Sequence, residues 1–232
     1  MKLALALQSC GRHNETAKTL QTFHKHNGFK IDAPFPVFRI HVEDGSVDER
    51  NEALAQEYGY RTFKIGRRLG NTGTRRYLIH TAEKLGATHV LLLENDWESE
   101  REVPWDLIYH VFTHPDHDIY HLRLWHHFKH RSKFKAWDKK TPLVSRGHAG
   151  RDRADPGWQA VEHGPEPFDV GDIHWGAPPS VTRMAELVAL HDGTGNEADS
   201  IRKSGQITAR TAQVKTNVFW HIGETRTPDF QR

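Results

Sequence analysis

One cysteine, Cys10, stands in 232 residues. A lone cysteine excludes an intramolecular disulfide framework and fits a reducing compartment, so a cytoplasmic setting is expected. Long apolar runs are also missing. The first ten residues, "MKLALALQSC", place an apolar stretch before Cys10, but Leu3 to Leu7 is too short for a signal-peptide core, so a buried strand is expected there. Nothing elsewhere approaches the roughly 18 apolar residues of a membrane span. Charge of one sign is scarce too: 32 Lys and Arg face 30 Asp and Glu, a formal balance of +2. That balance is unremarkable, although 18 His make the charge sensitive to mild acid. What is present, 36% hydrophobic and 27% charged residues with seven Trp and eleven Phe, is a globular composition able to bury a sizeable core.

The first half alternates strand and helix patterns. "KLALALQS", "PVFRIHV", "YRTFKI" and "THVLLL" read as strands. Between them lie "ETAKTLQTFHKH" with Asn14 as the expected N-cap, "VDERNEALAQEYG", and the Gly-rich entry "GNTGTRRYLIHTAEKLGA". Strands separated by helices imply parallel pairing in a sheet covered on both faces. In the second half, "PWDLIYHVFTHP" reads as a helix, "DIYHLRLW" as a strand, "FDVGDIHWGAPP" as carrying a short strand, and "SVTRMAELVAL" and "EADSIRKSG" as helices. "AQVKTNVFWHIG" reads as one last strand. Residues 126 to 168 form a long polar stretch of the kind found in binding loops. No internal repeat and no domain boundary is visible, so a single domain over 1–232 is expected.

"THVLLLENDWE" places three carboxylates, Glu94, Asp96 and Glu98, within five residues of an apolar strand end. Like charges so crowded call for positive charge nearby. Ligand sites in open parallel sheets lie beyond the strand carboxyl ends, where Ser9-Cys10-Gly11, Glu43-Asp44-Gly45-Ser46, Gly66-Arg67-Arg68 and Glu94-Asn95-Asp96 should converge. Carboxylates, close-approach glycines and Arg together suit a diphosphate held through Mg²⁺ or Mn²⁺. A solvated acidic turn with nearby Arg partners is the plainer alternative.

"SCGRHNETAKTLQTF", "HVEDGSVDERN" and "GNTGTRRYLIHTAEKLGATHVLLLENDWE", in that order over residues 1 to 98, resemble family-2-type glycosyltransferases. The resemblance implies a GT-A fold: a mostly parallel central sheet flanked by helices, a nucleotide-sugar-binding half over 1–98 and an acceptor-binding half over 99–232. It implies a metal-dependent enzyme of the hexosyltransferase type using a nucleotide-sugar, a UDP-sugar by expectation. Ser9, Gly11, Arg12 and Asp44 would line the base and ribose pocket. Arg75 or Arg76 would approach the diphosphate, and Gly73 and Asn95 would also belong to the donor-binding set. Glu94, Asp96 and, from "VFWHIGETRTP", His221 would hold the cation. Glu replaces the first Asp of the family's metal motif, so Asp96 is the firmer of the two carboxylates. "NEADSIRKSG" is similar to the family's catalytic-base segment, with Asp199 and Glu197 as candidates and Asp192 nearby.

Residues 121 to 153 hold ten Lys and Arg against two Asp, with Trp125, Phe128, Phe134 and Trp137 interleaved. Basic and aromatic side chains together suit nucleic acid. DNA contacts through Arg123, Lys129, Arg131, Lys133, Lys135, Lys139 and Lys140, and a hydroxymethylated pyrimidine in DNA as acceptor, are the expectation. A glycan or lipid acceptor is the alternative. A non-catalytic protein binding a nucleotide-sugar or nucleic acid also stays open, as does a zinc site at His126, His127 and His130.

Overall fold

The computed structural model describes residues 1–45, 49–125, 159–162, 164–171, 179–192, 203 and 206–222. The first element is strand β1 (Leu3–Ser9), an interior strand with all seven residues buried. Helix α1 (His13–Asn27), β2 (Val37–Glu43), α2 (Arg50–Glu57), β3 (Arg61–Lys64), α3 (Gly70–Lys84) and β4 (His89–Glu94) follow as the alternating pattern predicts. The chain continues through β5 (Trp97–Ser99), α4 (Trp105–Thr113), β6 (Ile119–Arg123), β7 (Gln159–Val161), β8 (Phe168–Gly171), β9 (Ser180–Arg183), α5 (Met184–His191), β10 (Arg210–Val214) and β11 (Phe219–His221).

Nine strands form one sheet in the order β3-β2-β1-β4-β9-β6-β10-β8-β7, while β11 and β5 form a separate ribbon. Seven of the nine run one way and β9 and β8 run against them, giving a mixed but mostly parallel sheet. The alternation of β1 explains the layers. Leu3, Leu5 and Leu7 pack with Leu20 and Phe23 of α1 and Leu107 and Ile108 of α4. Ala4 and Ala6 face Leu78, Ile79 and Ala82 of α3 and Leu187 of α5. Small residues on that face leave room for α3 to lie close to the sheet. Among the described residues, no helix is long and apolar enough to cross a membrane.

Three local expectations are corrected. Helix α1 begins at His13 with Arg12 as its N-cap and no side-chain cap, so Asn14 lies inside the first turn. Gly11, at φ 62°, turns the chain early enough for Thr16 N–H to reach the Arg12 carbonyl at 2.9 Å. "SVTRMAELVAL" divides: Ser180–Arg183 is extended and inserts antiparallel between β4 and β6, and only Met184–His191 is helical. "AQVKTNVFWHIG" also divides, into β10 and β11, with Val218 N–H hydrogen-bonded to the Leu124 carbonyl at 2.9 Å beyond the break.

Candidate active site

The strand ends meet at one rim, tied by contacts between segments far apart in sequence. Asp44 N–H donates to the Ser9 carbonyl at 2.9 Å, and Asp44 Oδ1 accepts from Leu69 N–H at 2.7 Å. The first bond fastens β2 to β1, and the second fastens the 65–69 loop to β2. Gly45 allows this approach: at φ 57°, an added Cβ would lie 2.6 Å from the backbone of Arg67 and Arg68.

The crowded carboxylates each have a cation. Arg75 Nη2 lies 2.5 Å from Glu94 Oε1 and 3.3 Å from Asn71 Oδ1. Arg12 Nη1 lies 3.1 Å from Asp96 Oδ2, and Lys18 Nζ lies 3.1 Å from Glu98. His221 Nε2 lies 3.2 Å from the same Asp96 oxygen. That hydrogen bond raises the His221 pKa against the opposing effect of burial, so Asp96 favours the protonated ring.

Asp96 and His221 are held together by backbone as well as by side chains. In the β5–β11 ribbon, His221 stands opposite Trp97, and Ile222 N–H donates to the Asp96 carbonyl at 2.8 Å. The Trp97 ring meets the His221 ring edge-on at 5.0 Å and the Trp125 ring at 5.1 Å, walling the site with aromatic surface.

These contacts sort the expected site residues. Arg12, Asp96 and His221 come together, with Arg75 and Glu94 paired at the neighbouring strand end. One oxygen of Glu94 is paired with the buried Arg75, as one oxygen of Asp96 is paired with Arg12. Arg76 is directed elsewhere, its Nε donating to the His191 carbonyl of α5 at 2.8 Å. Asn95 turns inward, donating to Thr16 Oγ1 at 3.2 Å. Ser9 is fully buried, its hydroxyl donating to Glu43. Gly73 sits in the first turn of α3 against Leu69, where an added Cβ would come within 2.7 Å of the Leu69 Cβ. Asp192 is an exposed residue at the end of α5. Asp199 and Glu197 lie outside the described residues, as do His126, His127 and His130.

Sequence reading placed Glu43 at the rim without giving it a role, and passed over His41 and Asn51. Glu43 is buried and accepts from Gly11 N–H at 2.7 Å, from the Ser9 hydroxyl and from Asn51 Nδ2 at 3.1 Å. His41 Nε2 is 2.7 Å from Ser9 Oγ. Because that hydroxyl proton goes to Glu43, the imidazole is the donor to Ser9. Burial pushes the His41 pKa down to about 3, so the ring is neutral. The available signal was the strand register: Ser9 pairs with Glu43 directly across β1 and β2.

Asp96 and His221 are the two side chains here that could hold a divalent cation: Asp96 Oδ1 is buried with no hydrogen-bond partner among the described residues, while His221 bonds the other oxygen, Oδ2. Among the described residues no three His, Cys, Asp or Glu side chains form a closed ligand set. Two protein ligands with the remainder from phosphate and water is the ordinary arrangement for Mg²⁺-type sites.

No protein-family model matches the sequence, and no curated protein matches it. Solved structures share the fold. S. aureus TarS 1–349 in complex with UDP superposes at a TM-score of 0.60 with 12% identity, covering 94% of this chain and 60% of that one. The same protein in complex with UDP-GlcNAc gives 0.58 and 13%, covering 97% and 62%. The mannosyltransferase PcManGT from Pyrobaculum calidifontis, in complex with GDP-Man and Mn²⁺, gives 0.57 and 10%, covering 97% and 58%. These likenesses define a GT-A-like fold, and this chain spans about three-fifths of the length of those structures.

Proposed function

We propose that the protein is a metal-assisted glycosyltransferase that moves a hexose-type sugar from a nucleotide-sugar, a UDP-sugar first, to an acceptor hydroxyl. The observation that carries this reading is the meeting of Arg12, Asp96 and His221, 84 and 125 residues apart, at the rim where Asp44 fixes the neighbouring loop. The nucleotides bound by TarS and by the mannosyltransferase, whose fold this chain shares, support it. The single cysteine supports a cytoplasmic setting.

Asp96 and His221 would hold Mg²⁺ or Mn²⁺, which when bound supplies a Lewis acid to the departing diphosphate. The protein's own part is positioning and charge. Arg12 is the cation nearest that carboxylate, and its planar fork matches phosphate oxygens. Arg75 keeps Glu94 compensated at the adjacent strand end. The walls of Trp97 and Trp125 exclude water from one side, strengthening these electrostatic contacts. Asp199 or Glu197 would accept the acceptor hydroxyl's proton if the anomeric centre inverts.

The proposed acceptor is a hydroxymethylated pyrimidine in DNA, on the charge of residues 121–153. The part of that segment beyond Trp125 lies outside the described residues. One of its expected contacts is corrected. Arg123 is buried within β6, where desolvation lowers its pKa to about 10, so it belongs to the sheet interior and not to a phosphate-facing surface. Binding to duplex DNA that weakens steeply with salt is expected, and no binding at low salt would remove the DNA acceptor.

The donor reading is tested by thermal denaturation with UDP, UDP-GlcNAc and GDP-Man, each with and without Mn²⁺. Ligand at about 100 times Kd stabilises the fold by roughly 2.7 kcal/mol. A shift that needs both nucleotide and Mn²⁺ and vanishes in Asp96→Ala is expected; a shift unchanged in that variant would refute the site.

A further inference from the structure

We propose that Glu43 is a positioning residue for the donor site, acting on Asp96 through the 9–12 loop and Arg12 without touching the donor. The inference rests on the glycosyltransferase reading.

The Glu43 carboxylate is 2% exposed, and both oxygens are engaged. Oε1 takes Gly11 N–H at 2.7 Å, while Oε2 takes the Ser9 hydroxyl and Asn51 Nδ2. Its donors come from the end of β1, the loop beyond it and helix α2. A carboxylate buried to this degree and holding three donors of its own chain is closed to a ligand from solvent, so its consequence lies in what it holds.

Glu43 holds the one place where the chain leaves β1 for α1. Gly11 is in the left-handed region at φ 62°, and its N–H is fixed by Glu43 while its carbonyl accepts from His13 N–H at 3.1 Å. Arg12 follows as the N-cap of α1, and His13 is tied back through its Nδ1 to Asn51 Oδ1 at 3.1 Å. Glu43 and Asn51, themselves bonded at 3.1 Å, thus grip residues 11 and 13. The guanidinium of Arg12, between them in sequence, reaches Asp96 Oδ2 at 3.1 Å. Releasing Gly11 shifts the base of Arg12, and the contact at Asp96 moves with it. Groups that orient a metal-binding residue commonly change metal affinity 10–100-fold when lost.

The test is a double-mutant cycle on nucleotide binding, measured by calorimetric titration of UDP, or GDP if that is the nucleotide bound, at fixed Mn²⁺. Glu43→Gln preserves size but presents an amide hydrogen to one of its former donors. It should weaken binding roughly tenfold. In the Arg12→Ala background the same change should add nothing, because the loop then has no guanidinium to aim. Unchanged binding in Glu43→Gln, or losses that multiply in the double variant, would overturn the inference. Should Glu43→Gln lose its far-ultraviolet circular dichroism, Glu43→Asp, which keeps the charge but reaches one methylene less, takes its place in the cycle. Failure of the unaltered protein to bind either nucleotide with Mn²⁺ overturns the donor reading and this inference together. UDP binding indifferent to Glu43 overturns this inference only.

Discussion

Arg75 and Glu94 form an ion pair of 2.5 Å between the first turns of α3 and the end of β4, with the arginine side chain only 3% exposed. The pair explains how an apolar strand ends in acid. Its first carboxylate is neutralised from the neighbouring helix, and Asp96, two residues on, is met by Arg12 and His221. Removing one member of a buried pair leaves an uncompensated charge, so Arg75→Ala should lower stability by roughly 3 kcal/mol. Arg75→Met with Glu94→Gln should recover part of that loss. Urea denaturation of the three variants measures both effects.

The salt bridge between Lys18 and Glu98 should behave differently. The Lys18 side chain is 52% exposed, and exposed pairs contribute about 0–1 kcal/mol. Lys18→Ala should therefore leave the denaturation midpoint almost unmoved, and a large loss would show that α1 depends on this contact.

Gly45→Ala should disturb the rim directly. The new methyl group would meet the Arg67–Arg68 backbone at 2.6 Å from a left-handed conformation, with strain on the order of 1–3 kcal/mol. Because Asp44 anchors Leu69 next door, nucleotide affinity should fall as well as stability. Calorimetric titration beside thermal denaturation separates the two losses.

Acid should destabilise the fold before carboxylates titrate. Burial holds His41 and His191 at about 3 and His121 well below its ordinary value, so all three stay neutral in the folded state. Unfolded, each binds a proton near pH 6.5. Between those values the unfolded chain carries more protons, so stability is full above pH 6.5 and declines as pH falls toward 4. Each such group contributes a slope of about 1.4 kcal/mol per pH unit within the window. Urea midpoints from pH 7.5 to 4.5 should show the decline, and His121→Asn should flatten it by about one proton.

The order β1 to β4 was legible because its signals are local: the Leu-Ala alternation of β1 and the three leucines of β4 each declare a strand without reference to partners. The meeting of Ser9 and Asp44 at the ends of β1 and β2 followed from parallel pairing. Strands β5 and β9 were not legible. Trp97–Ser99 is three residues long and is extended through its pairing with Phe219–His221. Ser180–Arg183 abuts a helix and takes its form from β4 and β6 on either side. At the site, charge type was visible but direction was not. Arg75 and Arg76 are adjacent in sequence, yet one step around a helix sends the first to Glu94 and the second to α5. Glu43 was placed at the rim but given no role, because its partners are a cross-strand residue and a loop amide, neither of which has a residue-type signature.

The narrow ribbon of β5 and β11 makes the distance between Asp96 and His221 a property of main-chain registration. Sliding one strand by a single residue would carry the imidazole to the opposite side of the ribbon, so the His221–Asp96 contact requires that short zipper to close in step. On the proposed metal reading, an ion bound at Asp96 and His221 should add protection of the Trp220 and Ile222 amides from hydrogen exchange to that given by the ribbon itself.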